Sequence, residues 1–208
     1  MVGVSGGKDS LCLLSVLSEM NRRLRREWVV LPVHIDPGFA GWRAERVIRA
    51  CRKLGLECSV RRLDLPPTTD RCYSCARARR KALFQTAAEL GAKKVALGHH
   101  LEDVNETYLM NLLMTASGAA FLPRQDLFSG RIALIRPLYY ASRPQIERYL
   151  RSAGIRPARS RCPFEHKGTR LVVRRFLERL YHQDLRIRTN LFWGIHNPKP
   201  EYLPRKKS

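Results

Sequence analysis

A chain of 208 residues, 44% of them hydrophobic, can bury a core as one domain with at most a small appendage. Its 39 Lys and Arg against 18 Asp and Glu give a formal charge of +21, which repels itself and asks for a polyanionic partner, nucleic acid ahead of a membrane surface. No run of about 18 apolar residues is present, which excludes a membrane-spanning helix, and no apolar signal segment precedes the first motif, so a cytoplasmic protein is expected.

The first expected strand is Met1–Val4, an apolar run that leads into Ser5-Gly6-Gly7-Lys8-Asp9-Ser10 and a helix over Asp9–Arg26. A glycine pair between strand and helix permits a sharp turn and close approach to a ligand. The helix start adds unpaired N–H groups and partial positive charge, Lys8 a full charge, and Ser5 and Ser10 hydroxyl donors, a set suited to the pyrophosphate of a nucleotide. The Walker spacing does not match. Further strands are expected at Trp28–Ile35, Glu57–Leu63, Lys94–Leu97 and Arg131–Ile135. Helices are expected at Gly41–Leu54, Ser74–Leu90, Glu102–Thr115 and Ser142–Ala153, with another near Thr169–Leu180. Gly118–Gly130 reads as a long surface loop. Beyond Leu185 the pattern weakens, so residues 1–185 are expected as one domain and 186–208 as a basic tail.

This alternation predicts an α/β fold, a mostly parallel, Rossmann-like sheet with helices on both faces. Ligands in such sheets sit beyond the carboxyl ends of the strands. The candidate residues follow that rule: Ser5–Ser10, then His34 and Asp36, then Gly98-His99-His100 with Asp103, then Arg136, all at one expected edge. Asp103, on the first turn of its helix, could hold the magnesium that accompanies ATP, or be an acid favoured by the helix dipole. One of His99 and His100 is expected to be structural.

The six cysteines sort by setting. Cys12, Cys51 and Cys58 lie in apolar elements and read as small core hydrophobes. Cys72, Cys75 and Cys162 lie in polar, Arg-rich, turn-like sequence. Cys72-Tyr73-Ser74-Cys75 at a helix start could be a redox pair, half a zinc site or part of an iron–sulfur site. Its neighbours Arg71, Arg77, Arg79, Arg80 and Lys81, together with the helix N-terminus, favour the thiolate.

Ser5–Ser10 in its strand–helix context resembles the PP-loop of the ATP pyrophosphatases, enzymes that cleave ATP to AMP and pyrophosphate. From Val2 to about Asn197 the chain is similar to the tRNA 2-thiocytidine synthetases of that group. The resemblance is carried by Ser5–Ser10, Pro37-Gly38-Phe39, Cys72-Tyr73-Ser74-Cys75 with Arg77, Arg79 and Arg80, Ala88-Glu89-Leu90-Gly91-Ala92, Leu97-Gly98-His99-His100 with Asp103, and Ile135-Arg136-Pro137-Leu138. It implies a PP-loop (adenine nucleotide alpha hydrolase-like) fold, with ATP and magnesium at Ser5, Gly6, Gly7, Lys8, Asp9, Ser10, His34, Asp36 and Gly98. It also implies a 4Fe-4S cluster on Cys72, Cys75 and Cys162, and catalytic roles for Lys8, Asp9, Asp103, Cys72 and Cys75. The implied reaction adenylates the C2 carbonyl of a tRNA cytidine, in the anticodon loop by resemblance, and replaces its oxygen with sulfur. A sulfur donor, cysteine desulfurase or sulfide, is needed, and a homodimer stays open. The chain departs from the family in starting four residues before the loop, without an N-terminal helical segment, and in having Arg159 where many members have a second cysteine. Two alternatives are thiolation of another tRNA pyrimidine and a metal-containing RNA-binding module without catalysis.

Overall fold

The computed structural model describes residues 1–25, 28–39, 42–63, 71–157 and 168–202, with side chains at 71–73 outside the described set. The chain divides into two units, Met1–His100 with Leu122–Lys167, and Leu101–Phe121 with Gly168–Ser208.

The first unit is built on a six-stranded sheet of β1 (Val2–Gly3), β2 (Pro32–Asp36), β3 (Ser59–Arg62), β4 (Lys94–Ala96), β5 (Arg124–Leu127) and β6 (Ile132–Ile135). Its order is β3-β2-β1-β4-β6-β5. All pairs are parallel except β5 with β6. The helices are α1 (Lys8–Arg23), α2 (Ala44–Lys53), α3 (Arg71–Glu89) and α5 (Arg143–Ser152).

Period-2 alternation assigns the two faces. Val2, Val4 and Ala96 pack with Leu11, Leu13 and Leu14 of α1, Val47 and Cys51 of α2, and Ile146 and Leu150 of α5. Val33, Ile35, Val95, Ile132 and Leu134 face the other way, against Leu83 and Ala87 of α3. Gly3 faces α3 tightly: a Cβ there would stand 2.9 Å from Leu97 Cδ2 and 3.1 Å from Leu83 Cδ2. α1 carries Asp9 in its first turn and Arg22 and Arg23 in its last, as the helix dipole favours. α5 starts on a capping box in which Gln145 Oε1 accepts from Ser142 N at 2.7 Å.

β5 falls within the stretch read as a surface loop. Three of its four residues are exposed and it carries no apolar alternation, so only the backbone ladder to β6 makes it a strand. A short, charged, antiparallel edge of this kind resists pairing with other chains.

The second unit contains α4 (Leu101–Thr115), α6 (Thr169–Gln183) and α7 (Arg186–His196), followed by a 3₁₀ turn at Pro200–Tyr202. Val173, Leu177 and Tyr181 pack with Leu109, Met110, Ile187 and Leu191. Residues 186–196, read as the start of a tail, are helical although Phe192 is the only fully buried residue of α7, and Asp184 Oδ1 accepts from Arg186 N at 2.8 Å to brace its start.

Charge organises this unit. Glu106, 1% exposed, accepts from Arg174 Nε at 2.7 Å and Nη2 at 3.0 Å. Glu102 Oε1 lies 3.1 Å from Arg188 Nε, and Arg188 stacks 5.2 Å from the Tyr181 ring centre. Asn105 Nδ2 donates to Tyr181 Oη at 3.0 Å and to Arg188 O at 2.9 Å. Breaking such a pair leaves a buried charge. Glu106→Gln is expected to destabilise the protein by about 2–3 kcal/mol, less than a fully buried pair because Arg174 is partly solvated. A lower thermal midpoint checks this.

Candidate active site

Four segments of the first unit reach the carboxyl edge of the sheet: the turn after β1, Asp36–Gly38, Gly98–His100 and Arg136. The turn after β1 folds on its own hydroxyls. Ser10 Oγ donates to Gly7 O at 3.0 Å, and Ser5 N donates to Ser10 Oγ at 3.2 Å. The two hydroxyls lie 3.1 Å apart, and Ser5 Oγ accepts from Gly7 N at 3.3 Å. Gly6 takes φ +83°, which a side chain would strain. Gly7 is the N-cap of α1 and offers no capping side chain, so the first N–H groups of the helix are left for a ligand. The same N–H groups and the dipole favour an anion. The serines, expected as donors to phosphate, are here the braces that give the loop its shape.

Lys8 Nζ meets Asp9 Oδ1 at 2.6 Å, and His100 Nε2 lies 3.6 Å from the same oxygen. Both side chains of the Lys8–Asp9 pair are about one-third exposed, so they reach solvent beside the loop.

Gly98 acts through space. A Cβ on it would stand 2.9 Å from Asp9 C and O and 3.0 Å from Ser10 N, all backbone atoms that cannot swing aside. Gly98→Ala is therefore expected to displace the loop, cost about 1–3 kcal/mol and weaken ATP binding. Thermal melts with and without ATP read both effects.

His34 is not placed to touch a nucleotide. It is fully buried, its Nδ1–H donates to Val4 O at 2.7 Å, and its Nε2 accepts from Trp42 Nε1 at 3.0 Å, with the two rings stacked. Both nitrogens are used, and the ring clamps β1 to the segment after β2. Burial first, and the Arg79 charge lastly, push its pKa below the ordinary histidine value. The unfolded chain therefore binds the proton more readily. The stability that the neutral ring contributes is full above about pH 6.5 and falls below it, by up to about 1.4 kcal/mol per pH unit, until the folded-state pKa is passed. A urea midpoint that declines between pH 7 and 5.5, with a shallower decline in His34→Asn, is the expected outcome. Asp36 Oδ1 accepts from Gly38 N at 2.8 Å and shapes its own turn, in which Gly38 takes φ +75°.

Arg136, 5% exposed, donates from Nε to His99 Nδ1 at 3.2 Å and from Nη1 to Leu122 O. This sets the His99 tautomer with its proton on Nε2. Burial, then the Arg80 charge, lower the Arg136 pKa against the raising effect of Tyr139.

Asp103 belongs to the second unit, where its Oδ1 lies 3.6 Å from Arg170 Nη1. Arg170 Nη1 also lies 3.9 Å from Glu106 Oε2, and Arg170 Nη2 donates to Thr107 Oγ1 at 3.1 Å. Sequence reading had no signal for these arginines, which stand more than 60 residues away along the chain.

Cys75 is buried in the first turns of α3. The Cys72 side chain and the whole of Cys162 lie outside the described residues, and among the described residues no three His, Cys, Asp or Glu side chains stand together as a metal site. The other thiols are core groups. Burial, then Asp9, push Cys12 up to about 11. A hydrogen bond to Cys58 raises Cys51, and the same bond lowers Cys58. No helix among the described residues is long and apolar enough to cross a membrane.

A mostly parallel 3-2-1-4 sheet whose first strand turns through a glycine-rich, anion-ready loop into a helix defines a PP-loop domain, and the family model of that domain matches residues 1–180. Within this class the chain belongs to the tRNA-cytidine(32) 2-sulfurtransferase family. It is 32% identical over 212 residues to the tRNA-cytidine(32) 2-sulfurtransferase of Syntrophotalea carbinolica, covering 97% of this chain and 82% of that one. The Pelobacter propionicus relative of the same name is 33% identical over 97% of this chain and 79% of its own length. Among solved structures the chain is similar to the U34-tRNA thiolase NcsA from Methanococcus maripaludis with its 4Fe-4S cluster. The TM-score is 0.75 at 20% identity, over 98% of this chain and 72% of that one, a likeness of fold.

Proposed function

We propose that this protein is an ATP-dependent tRNA sulfurtransferase that replaces the C2 oxygen of a tRNA cytidine with sulfur. The observation that carries the reading is the self-braced loop of Ser5–Ser10, which leaves the N-terminus of α1 and Lys8 facing outward at the carboxyl edge of the sheet. Kinship with tRNA-cytidine(32) 2-sulfurtransferases over nearly the whole chain supplies the substrate.

A pyrimidine C2 carbonyl is a weak electrophile with no good leaving group. Its oxygen attacks the α-phosphorus of ATP, forming the base–AMP ester and releasing pyrophosphate. The loop N–H groups and Lys8 hold the phosphates and stabilise the charge that develops on the departing pyrophosphate. Asp9 keeps Lys8 in place through its 2.6 Å contact, and as the carboxylate of the loop it would hold the magnesium that travels with ATP. A sulfur nucleophile then attacks C2, and AMP leaves with the original oxygen. The cytosine must leave its stack to reach this edge, which suits an unpaired tRNA loop.

A 4Fe-4S cluster fits the donor set: Cys75 sits buried in the first turns of α3, three residues after Cys72, and Arg77 and Arg80 follow on the same helix, a cationic helix start that favours thiolates. Cys72, Cys75 and Cys162 would hold it, and three thiolates leave one iron open, which when the cluster is bound supplies a site for sulfur.

Anaerobic incubation of the iron-loaded protein with tRNA, ATP and sulfide, followed by nucleoside mass spectrometry, tests the reading. Formation of 2-thiocytidine with equal amounts of AMP and pyrophosphate is expected. A thiolated uridine instead would move the assignment to another pyrimidine, and no ATP-dependent thiolation at all would overturn it.

A further inference from the structure

α3 packs on one face of the sheet, and beside it the β5–β6 hairpin leaves a groove of about 1110 Å³. Its floor is apolar, with Phe84, Ala87 and Ile132, and Phe128 stands at its edge. Its rim carries Arg77, Arg80, Lys81, Lys93 and Arg131, and among the described residues no carboxylate lines it. All five cations are exposed, and none pairs with an acid among the described residues.

The groove has a direction. Ser74 and Arg77, at one end, lie in the same turns of α3 as Cys75. Lys93 and Arg131, at the other, precede the amino ends of β4 and β6. The groove therefore runs from the carboxyl edge of the sheet, where the phosphate loop stands, along α3 to the opposite edge.

Phe128 is the second observation. It is 53% exposed, sits at the tip of the hairpin, and holds φ +53°, a left-handed conformation that costs a bulky residue stability. Ser129 and Gly130 also take positive φ, at +55° and +82°. Asn or Gly would suit such a turn. The phenyl ring is instead held against Phe84, edge to face at 5.6 Å between centres. A strained turn thus keeps an aromatic surface at the solvent boundary of a cationic groove.

Cations tracking a backbone with aromatic faces between them is the arrangement that binds single-stranded nucleic acid without reading its sequence. We infer that this groove is a docking surface for an unpaired or locally opened strand of the tRNA. Phosphates lie on the basic rim, one base stacks on Phe128, and the strand continues past Ser74 toward the reacting edge. The inference rests on tRNA being the substrate.

The experiment measures binding of an unmodified tRNA transcript by fluorescence anisotropy over a salt series, with ATP binding and melting temperature recorded for each protein. Phe128→Asn removes the ring and suits the left-handed backbone. It is expected to weaken tRNA binding about tenfold while the melting temperature holds or rises and ATP affinity is unchanged. Lys81→Ala with Lys93→Ala is expected to flatten the slope of log affinity against log salt by about 1.4, at about 0.7 for each single-strand phosphate that is no longer neutralised. Wild-type affinity and salt slope in both variants overturn the groove assignment, while continued 2-thiocytidine formation by the wild-type protein leaves the proposed function standing. A change in sedimentation mass in place of tRNA affinity also overturns it and gives the groove to a second copy of the chain. A wild-type protein that binds no tRNA overturns the inference together with the proposed function.

Discussion

Lys8→Ala is expected to lower ATP-dependent thiolation by at least about a hundredfold while the protein melts at nearly its normal temperature. The lysine is part of a loop braced by its own hydroxyls. Ser5, Gly7 and Ser10 hold one another, so the loop keeps its shape when the Lys8 side chain is removed. The variant lacks the Lys8 cation beside the first turn of α1, and with it the attraction for charge that develops as pyrophosphate departs. The Lys8–Asp9 pair is about one-third exposed, so breaking it costs little stability. Single-turnover adenylation followed by AMP release separates this effect from tRNA binding. Near-normal turnover in Lys8→Ala would remove the loop from the chemistry.

Replacing Cys75 by Ala is expected to abolish both iron retention and thiolation, and Cys72→Ala and Cys162→Ala are expected to do the same. Cys12→Ala, Cys51→Ala and Cys58→Ala should keep their iron. The contrast follows from environment. The Cys12 thiol, pushed up to about 11 by burial, stays protonated at neutral pH and serves packing. Cys51 and Cys58 pack in the α1-side core. Iron and sulfide analysis after anaerobic purification, with the absorbance spectrum of each variant, reads the outcome. A Cys162→Ala protein that retains iron would place the third ligand elsewhere, and a Cys51→Ala protein that loses it would refute the division of the thiols.

The phosphate loop and the βα alternation were legible because they are written in contiguous residues. A glycine pair between an apolar run and a helix specifies a turn whatever lies elsewhere, and burial of Leu11, Cys12, Leu13 and Leu14 follows from their density alone. Boundaries moved by a few residues where chain ends fray: α1 stops at Arg23, with Arg25 in a left-handed conformation, three residues before the expected end. Gly98 reads in the sequence as a residue of the nucleotide edge, but not as the one that lets the segment after β4 touch the backbone of Asp9.

The sequence by itself determined the fold class and the anion-ready loop, since each depends on neighbours within a turn or a strand. Tertiary structure decided what depends on distant partners. β5 is a strand only because β6 offers its backbone, and α7 is a helix on one fully buried phenylalanine. His34 is a clamp because Val4, 30 residues before it, and Trp42, eight after, use both its nitrogens. Glu106 is a buried charge because Arg174 arrives from 68 residues away. An imidazole or a carboxylate reads the same in the sequence whether it will bind a ligand or be consumed by the fold, because the free energy of burying it is set by partners that only chain folding brings within hydrogen-bond distance.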